Sequence, residues 1–329
     1  MSKPKVGIYW CASCGGCEEA IVDLAEGVLD VVAAVDIVFW PVAMDFKKED
    51  VEKMGDKEMA VAFINGAIRS SEQAEMAHLL RRKAQIMIAF GSCSHEGGIP
   101  GLANFKTLDG IIDRVYQDAP SVTNTEKTRP QVKSKMPEGT VTLPELWKTV
   151  KTLDQVIDVD YYIPGCPPPG KLVSAALNAI LEGKLPPKGT VLCPDIALCN
   201  DCPRKETKPE KPLLKEFKRP HEILIDTEKC LLAQGLLCLG PATRSACDSA
   251  CINGNMPCTG CMGPTSHVKD YGAKALSAIA SIVDSNDEAE IEKILSHIVD
   301  PGGTFYRYSL PSSLLHRTIE GEAKGGNKA

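Results

Sequence analysis

Fourteen of the 329 residues are cysteine, and their placement says more than their number. Five are spread through the first part of the chain: Cys11, Cys14, Cys17, Cys93 and Cys166. The other nine fall between Cys193 and Cys261. Cys199–Cys202 and Cys258–Cys261 are C-x-x-C pairs, and Cys247 and Cys251 have i, i+4 spacing. Cys230 and Cys238 bracket a mostly apolar loop. Thiols clustered at ligand spacing in a large chain expected in a reducing compartment point to bound metal rather than to a disulfide framework. Soft thiolates suit zinc and iron–sulfur centres alike.

The elements around the first cysteines read as an α/β scaffold. Val6–Trp10, Val35–Trp40, Met59–Ile64, Gln85–Phe90 and Val159–Ile163 are short apolar, β-rich runs. Helical patterns follow from Cys17 through Val28, from Ser70 or Ser71 to about Arg82, and from Pro169 to Leu181. Strands alternating with helices argue for a parallel sheet covered on both faces, with ligands at the carboxyl ends of its strands. Cys14 and Cys17 follow the first strand, Cys93 the fourth and Cys166 the fifth, so four thiols are expected at one sheet edge. Four is the number of ligands a cubane cluster takes. Gly15, Gly16, Gly91 and Gly165 would let backbone approach a bulky group there. A single buried cysteine taken alone is as readily inert packing. A redox C-x-x-C would leave Cys93 and Cys166 unexplained, and no G-x-G-x-x-G or P-loop pattern supports a nucleotide. Residues 117–156 interrupt the rhythm and read as a solvated insertion.

The chain is expected to divide into residues 1–188, a flavodoxin-like parallel-sheet domain, and residues 189–329, an irregular cluster-binding domain with C-terminal helices and a tail from Phe305 whose Leu310, Leu314 and Leu315 would either pack on a partner or fray. Glycine and proline are dense in the cysteine-rich part, which would depend on metal to fold. One zinc ribbon would leave five of its nine thiols idle; two zinc sites fit that half by count but leave the sheet-edge thiols unexplained. A formal net charge of −6 gives no sequence-wide basic field for nucleic acid. No apolar run approaches the ~20 residues of a membrane span, and no export signal is read at Met1–Lys5, so a cytoplasmic protein without membrane contact is expected.

Cys14-Gly-Gly-Cys17-Glu18, Gly91-Ser-Cys93 with Gly97-Gly98, and Pro164-Gly-Cys166-Pro-Pro resemble the small subunit of nickel–iron hydrogenases. The resemblance spans roughly residues 5–265. It implies a proximal [4Fe–4S] cluster on Cys14, Cys17, Cys93 and Cys166. It places Cys199, Cys202, Cys230 and Cys238 at a distal cluster, with Arg204 in the family's His-x-x-Cys-x-Arg pattern and Cys199 where many members have histidine. Cys247, Cys258 and Cys261 match the medial ligands. Cys251 lies near the corner that proline blocks in members with a [3Fe–4S] centre, so three [4Fe–4S] clusters are expected. Cys11 and Cys193 are left over; Cys11 is close enough in sequence to exchange with Cys14, though the family's C-x-G-C-E pattern favours Cys14 and Cys17, and Cys193 is read as structural, with replacement of Cys199 as the alternative. The resemblance further implies that the nickel–iron centre lies on a separate large subunit and that this chain carries electrons. Within the family, the cytoplasmic methyl-viologen-reducing, F420-non-reducing type is most similar, which implies a small iron–sulfur adapter subunit and heterodisulfide reductase as partners. The alternatives are a sulfhydrogenase small subunit, a complex-I-like quinone-site subunit, which typically has an adjacent Cys-Cys pair absent here, and a zinc-organised interaction module.

Overall fold

In the computed structural model of the chain, residues 3–317 are described. The strands in chain order are β1 (Lys5–Trp10), β2 (Asp36–Phe39), β3 (Met59–Asn65), β4 (Ile68–Ser70), β5 (Ala84–Phe90), β6 (Lys133–Met136), β7 (Gly139–Thr142), β8 (Leu146–Lys151) and β9 (Tyr161–Ile163). The first seven helices are α1 (Gly16–Val22), α2 (Gly27–Ala34), α3 (Lys48–Glu52), α4 (Ser71–Lys83), α5 (Ser92–Glu96), α6 (Leu108–Asp113) and α7 (Gly170–Leu181). Short α8 (Leu198–Asp201) and α9 (Ala250–Asn253) precede α10 (Tyr271–Ala280), α11 (Glu288–Leu295) and α12 (Pro301–Phe305).

Five strands pair in the order β2-β1-β3-β5-β9, all parallel. Counted among themselves they run 2-1-3-4-5, the flavodoxin-like order. The sequence of β3 shows why the sheet is buried on both sides. Ala62 and Ile64 face one core, with Met76, Ala77 and Leu80 of α4. Val61 and Phe63 face the other, with Ile21 of α1 and Leu172, Val173 and Ala176 of α7. Alternate residues therefore fill opposite cores, and a near-continuous apolar strand results. A further core, formed by residues such as Leu198, Leu236, Ile252, Ala275 and Phe305, holds the cysteine-rich part together.

Three features depart from the sequence reading. The helical pattern from Cys17 to Val28 is two helices, because Ala25 adopts a left-handed φ of 52° and α1 ends at Val22. β4 pairs antiparallel with β8, so residues 117–156 are anchored at their end rather than being wholly a solvated excursion. Within them β6 and β7 form an exposed antiparallel hairpin. The tail from Phe305, expected either to meet a partner or to fray, packs back on its own chain as far as it is described; residues 318–329 of that expectation lie outside the described residues. Leu310 and Ser313 are buried, and Pro311 sits against Gly97 and Gly101, where an added Cβ would meet its ring at 2.2 and 2.4 Å.

Asp160, just before β9, couples the sheet to its surroundings. It accepts from Arg81 Nη1 at 2.6 Å, from Lys188 Nζ at 2.6 Å and from the Met87 amide at 2.8 Å. Burial pushes its carboxyl up, but these donors prevail and hold it below the usual carboxylate range. A depressed carboxyl pKa contributes stability that is present above the unfolded value and is lost as pH falls through the folded one. Asp160→Asn is therefore expected to lower Tm by several degrees at neutral pH. The gap from the native protein should shrink on acidification below about pH 4. Thermal unfolding followed by circular dichroism across pH checks this; a gap that widens in acid would contradict it.

Candidate iron–sulfur sites

The sheet edge brings four thiols together through the loops that leave its strands. After β1, Gly15 turns left-handed (φ 87°) and α1 begins, with Cys17 in its first turn. The Ser13 hydroxyl accepts from Gly15 N–H at 3.1 Å and donates to Asn65 Oδ1 at 2.9 Å, tying the Cys14 loop to the end of β3. After β5, Gly91 N–H donates to Ile163 O at 2.8 Å and Ser92 N–H to Gly165 O at 2.7 Å, locking the Cys93 turn to the Cys166 turn. The peptide bond between Cys166 and Pro167 is cis. Space around the sulfurs is kept by glycine. A Cβ on Gly91 would lie 2.3 Å from Cys17 Sγ, and one on Gly98 2.4 Å from Cys93 Sγ; both have positive φ. Cys17 and Cys93 are buried, Cys166 is half-buried and Cys14 is exposed. Burial, then the neighbouring thiols, push Cys17 up, Cys93 up to about 12, and Cys166 up.

Two further groups lie in the cysteine-rich part. Cys199, Cys202, Cys230 and Cys238 surround one small, largely apolar cavity with Leu198 and Ile252. Gly240 lies against them: a Cβ there would come into ordinary contact with Cys199 Sγ at 3.4 Å and Cys238 Sγ at 3.7 Å. Burial pushes Cys199 up to about 11. Cys261 interacts electrostatically with Cys247 and Cys251, and Cys258 with Cys261. Burial pushes Cys261 up to about 12 and Cys258 higher.

The three groups stand in series. Cys261 of the middle group is an electrostatic neighbour of Cys166 at the sheet edge, and the Ser92 hydroxyl donates to Cys261 O. On the other side, Cys258 N–H donates to Cys238 Sγ at 3.4 Å. The order in space is thus sheet edge, middle, outer, although the outer group's first cysteines come earlier in the sequence than the middle ones.

The two leftover cysteines are placed apart from the outer group. Cys11 is buried in the core beside α4, and its charge interactions are with Tyr9 and Glu72. Cys193 Sγ donates to Ser245 O at 3.4 Å and neighbours Cys247, so an exchange with Cys199 is not what the fold offers; it stands beside the middle group. Two arginines hold the loops. Arg204, 6% exposed, donates to Asp226 O, Lys229 O, Ile252 O and Asn255 Oδ1. Arg244, 1% exposed, donates to Pro194 O and Pro264 O, both at 3.0 Å, and pairs with Asp195 at 3.0 Å. Arg244 belongs to no motif, and only its being a charge in an otherwise small and apolar stretch could have drawn attention to it.

Buried thiols with raised pKa values stay protonated unless a strong positive charge offsets the lost hydration. An iron–sulfur core supplies that charge and takes four thiolates, each on a different iron. Four thiols at each site, with glycine-cleared space beside Cys17 and Cys93 at the sheet edge, fit a multi-iron cluster.

Comparison with known proteins gives the family. The model for the NADH ubiquinone oxidoreductase 20 kDa subunit matches residues 14–180. A [NiFeSe] hydrogenase from Desulfovibrio vulgaris Hildenborough has the same fold, with a TM-score of 0.51, 18% identity, and cover of 80% of this chain and 94% of that one. The iron–sulfur subunit of the F420-non-reducing hydrogenase of Archaeoglobus profundus is 38% identical over 96% of this chain and 98% of its own. The corresponding F420-non-reducing hydrogenase subunit of Methanothermobacter thermautotrophicus is 37% identical over 98% of this chain and 99% of its own. By that near full-length identity this chain belongs to the small-subunit family of F420-non-reducing hydrogenases.

Proposed function

We propose that this subunit conducts electrons from hydrogen oxidation at a nickel–iron large subunit to an iron–sulfur adapter subunit and on to heterodisulfide reductase, in the cytoplasm. The observation that carries the reading is the serial linkage of the three thiol groups: Ser92, beside Cys93, donates to Cys261 O, and Cys258 N–H donates to Cys238 Sγ. Cys14, Cys17, Cys93 and Cys166 would hold a proximal [4Fe–4S] cluster, Cys247, Cys251, Cys258 and Cys261 a medial one, and Cys199, Cys202, Cys230 and Cys238 a distal one. Clusters so held would supply one-electron carriers.

The protein's own groups set where such a relay opens. Cys14 is exposed at the carboxyl edge of the sheet, the side on which a large subunit would sit. Cys199 also lines a second, open surface pocket with Lys205, Lys208 and Glu210, the side on which the next carrier would dock. The apolar walls Leu198, Leu231, Leu232 and Ile252 exclude water from the outer group. Backbone amides of Arg204 and Cys258 donate to Cys202 Sγ and Cys238 Sγ, both at 3.4 Å, and such bonds to sulfur raise a centre's potential. Residues 1–188 would form the sheet domain with the proximal site and residues 189–329 the domain of the other two.

Three measurements test the assignment. Anaerobically purified complex should contain about 12 iron atoms per copy of this chain with matching acid-labile sulfide; zinc with little iron would overturn the reading in favour of a zinc-organised module. Cys251 is the second residue of α9, a position where proline is tolerated, so Cys251→Pro should fold. It should yield a [3Fe–4S] EPR signal in oxidised protein, whereas an unchanged spectrum rules Cys251 out as a ligand. Cys199→His removes one negative charge and should raise the potential of the distal centre in a redox titration, leaving the other two in place; no shift counts against Cys199.

A further inference from the structure

A cleft of about 230 Å³ opens on the surface of the cysteine-rich part, beside the middle group. Its floor is apolar, with Phe217, Leu237, Leu239 and Ile298, and Cys258 of the middle group forms part of its wall. Lys218, Arg219 and Arg307 line it with His297, and no Asp or Glu does. Lys218 pairs with Glu216 at 2.6 Å. The His297 ring is engaged through Nδ1 with Phe217 O at 2.9 Å. The guanidinium groups of Arg219 and Arg307 make no hydrogen bond or ion pair among the described residues. Two unmatched cations around an apolar hollow, in a chain of formal net charge −6, are therefore a local reversal of sign.

We propose that this cleft docks an acidic protein, a small one-electron carrier that presents carboxylates beside an apolar side chain, and that Cys258 in its wall makes it a second electron port, at the middle of the series. The charge pattern selects the carrier: carboxylates meet Arg219 and Arg307 while the apolar side chain fills the hollow over Phe217 and Leu239. Contacts between redox proteins are typically small and steered by charge, which a hollow of this size with a cationic rim suits. One electron leaves the enzyme and reduces the oxidised carrier; hydrogen oxidation replaces it, and no bond forms or breaks at the cleft. An enzyme with two ports can divide electrons between an adapter at the outer group and a soluble carrier at the middle one. This inference rests on the relay reading above.

The test uses the purified hydrogenase complex with an oxidised, acidic [2Fe–2S] ferredoxin as probe. Wild type should bind it at low ionic strength, with affinity falling steeply as salt rises. Arg219→Glu combined with Arg307→Glu should weaken binding roughly tenfold or more and flatten the salt dependence, while hydrogen-dependent reduction of methyl viologen stays at the wild-type rate. Cys199→Ser, which disables the outer group, should leave ferredoxin reduction in place. The proposal fails if ferredoxin does not bind wild type at low salt, if the double reversal leaves binding unchanged, or if Cys199→Ser abolishes ferredoxin reduction. Binding of phosphate or citrate in the cleft without any ferredoxin binding also overturns it in favour of a small-anion site. Iron analysis of the same samples tests the relay reading separately, since a loss of iron would mark a failure there and not at the cleft.

Discussion

Ser92 is the joint on which the arrangement of the thiols depends. Its amide donates to Gly165 O, which fixes the Cys93 turn against the Cys166 turn. Its hydroxyl donates to Cys261 O, which fixes both against the middle group. The residue is 2% exposed, so neither bond competes with water and each is costly to leave unmade. Two loops from the sheet and one from the cysteine-rich part are thus held by a single side chain and its own amide. This joint adds to the packing of Met262 against the sheet core, which joins the same two cysteine-bearing parts.

Burial of the thiols adds a second constraint. Most thiols of the three groups are buried or half-buried, with Cys14 and Cys251 exposed, and burial makes Cys93 and Cys261 among others resist ionisation. The arrangement is stable as four thiolates only when a cationic core neutralises them. The polar devices nearby are spent on backbone: Arg204 and Arg244 satisfy carbonyls of loops that have no strand or helix partner. A stretch rich in glycine and proline can keep a fixed shape when buried guanidinium groups gather its carbonyls and thiols gather at its centres.

The sheet and its site were legible because each cysteine at the sheet edge follows a strand that announces itself. Apolar runs ending in asparagine–glycine or glycine mark β3 and β5, a β-rich run after Pro4 marks β1, and fold topology then brings their ends together. The split between α1 and α2 was not legible, since the apolar spacing continues through the turn and only the left-handed Ala25 breaks it. β4 and β8 are short and depend on pairing with each other across about eighty residues, which periodicity cannot report. The place of Cys193 followed from no spacing rule, because its neighbour Cys247 is brought to it by Arg244 bridging Pro194 and Pro264. Residue type and spacing located the ligand sets; the order of the sets in space came only from three-dimensional contact.

The tail completes the argument about fixed separation. Gly98 N–H donates to Tyr308 O at 2.9 Å, and the Tyr308 hydroxyl bonds to Thr259 Oγ1 at 3.1 Å, between the cysteines of the second C-x-x-C pair. Pro311 fills the space over Gly97 and Gly101, Ser312 Oγ donates to Glu96 at 2.5 Å, and Leu314 N–H donates to Asp270 at 3.0 Å. One strap therefore touches the loop that carries Cys93, the loop that carries Cys258 and Cys261, and the start of α10. Electron transfer between neighbouring centres depends on keeping their separation constant, and flexible loops alone would not do so. Ser92 joins the sheet edge to the middle group from inside, and residues 308–314 join the same two from outside. The outer group is tied to the middle one just as closely: Cys258 N–H donates to Cys238 Sγ, Leu239 N–H donates to Cys258 O at 2.9 Å, and the Ser245 hydroxyl donates to Asp201. Leu198, Cys238, Ile252 and Cys258 also share one core, so both joints of the series are fixed by packing as well as by hydrogen bonds.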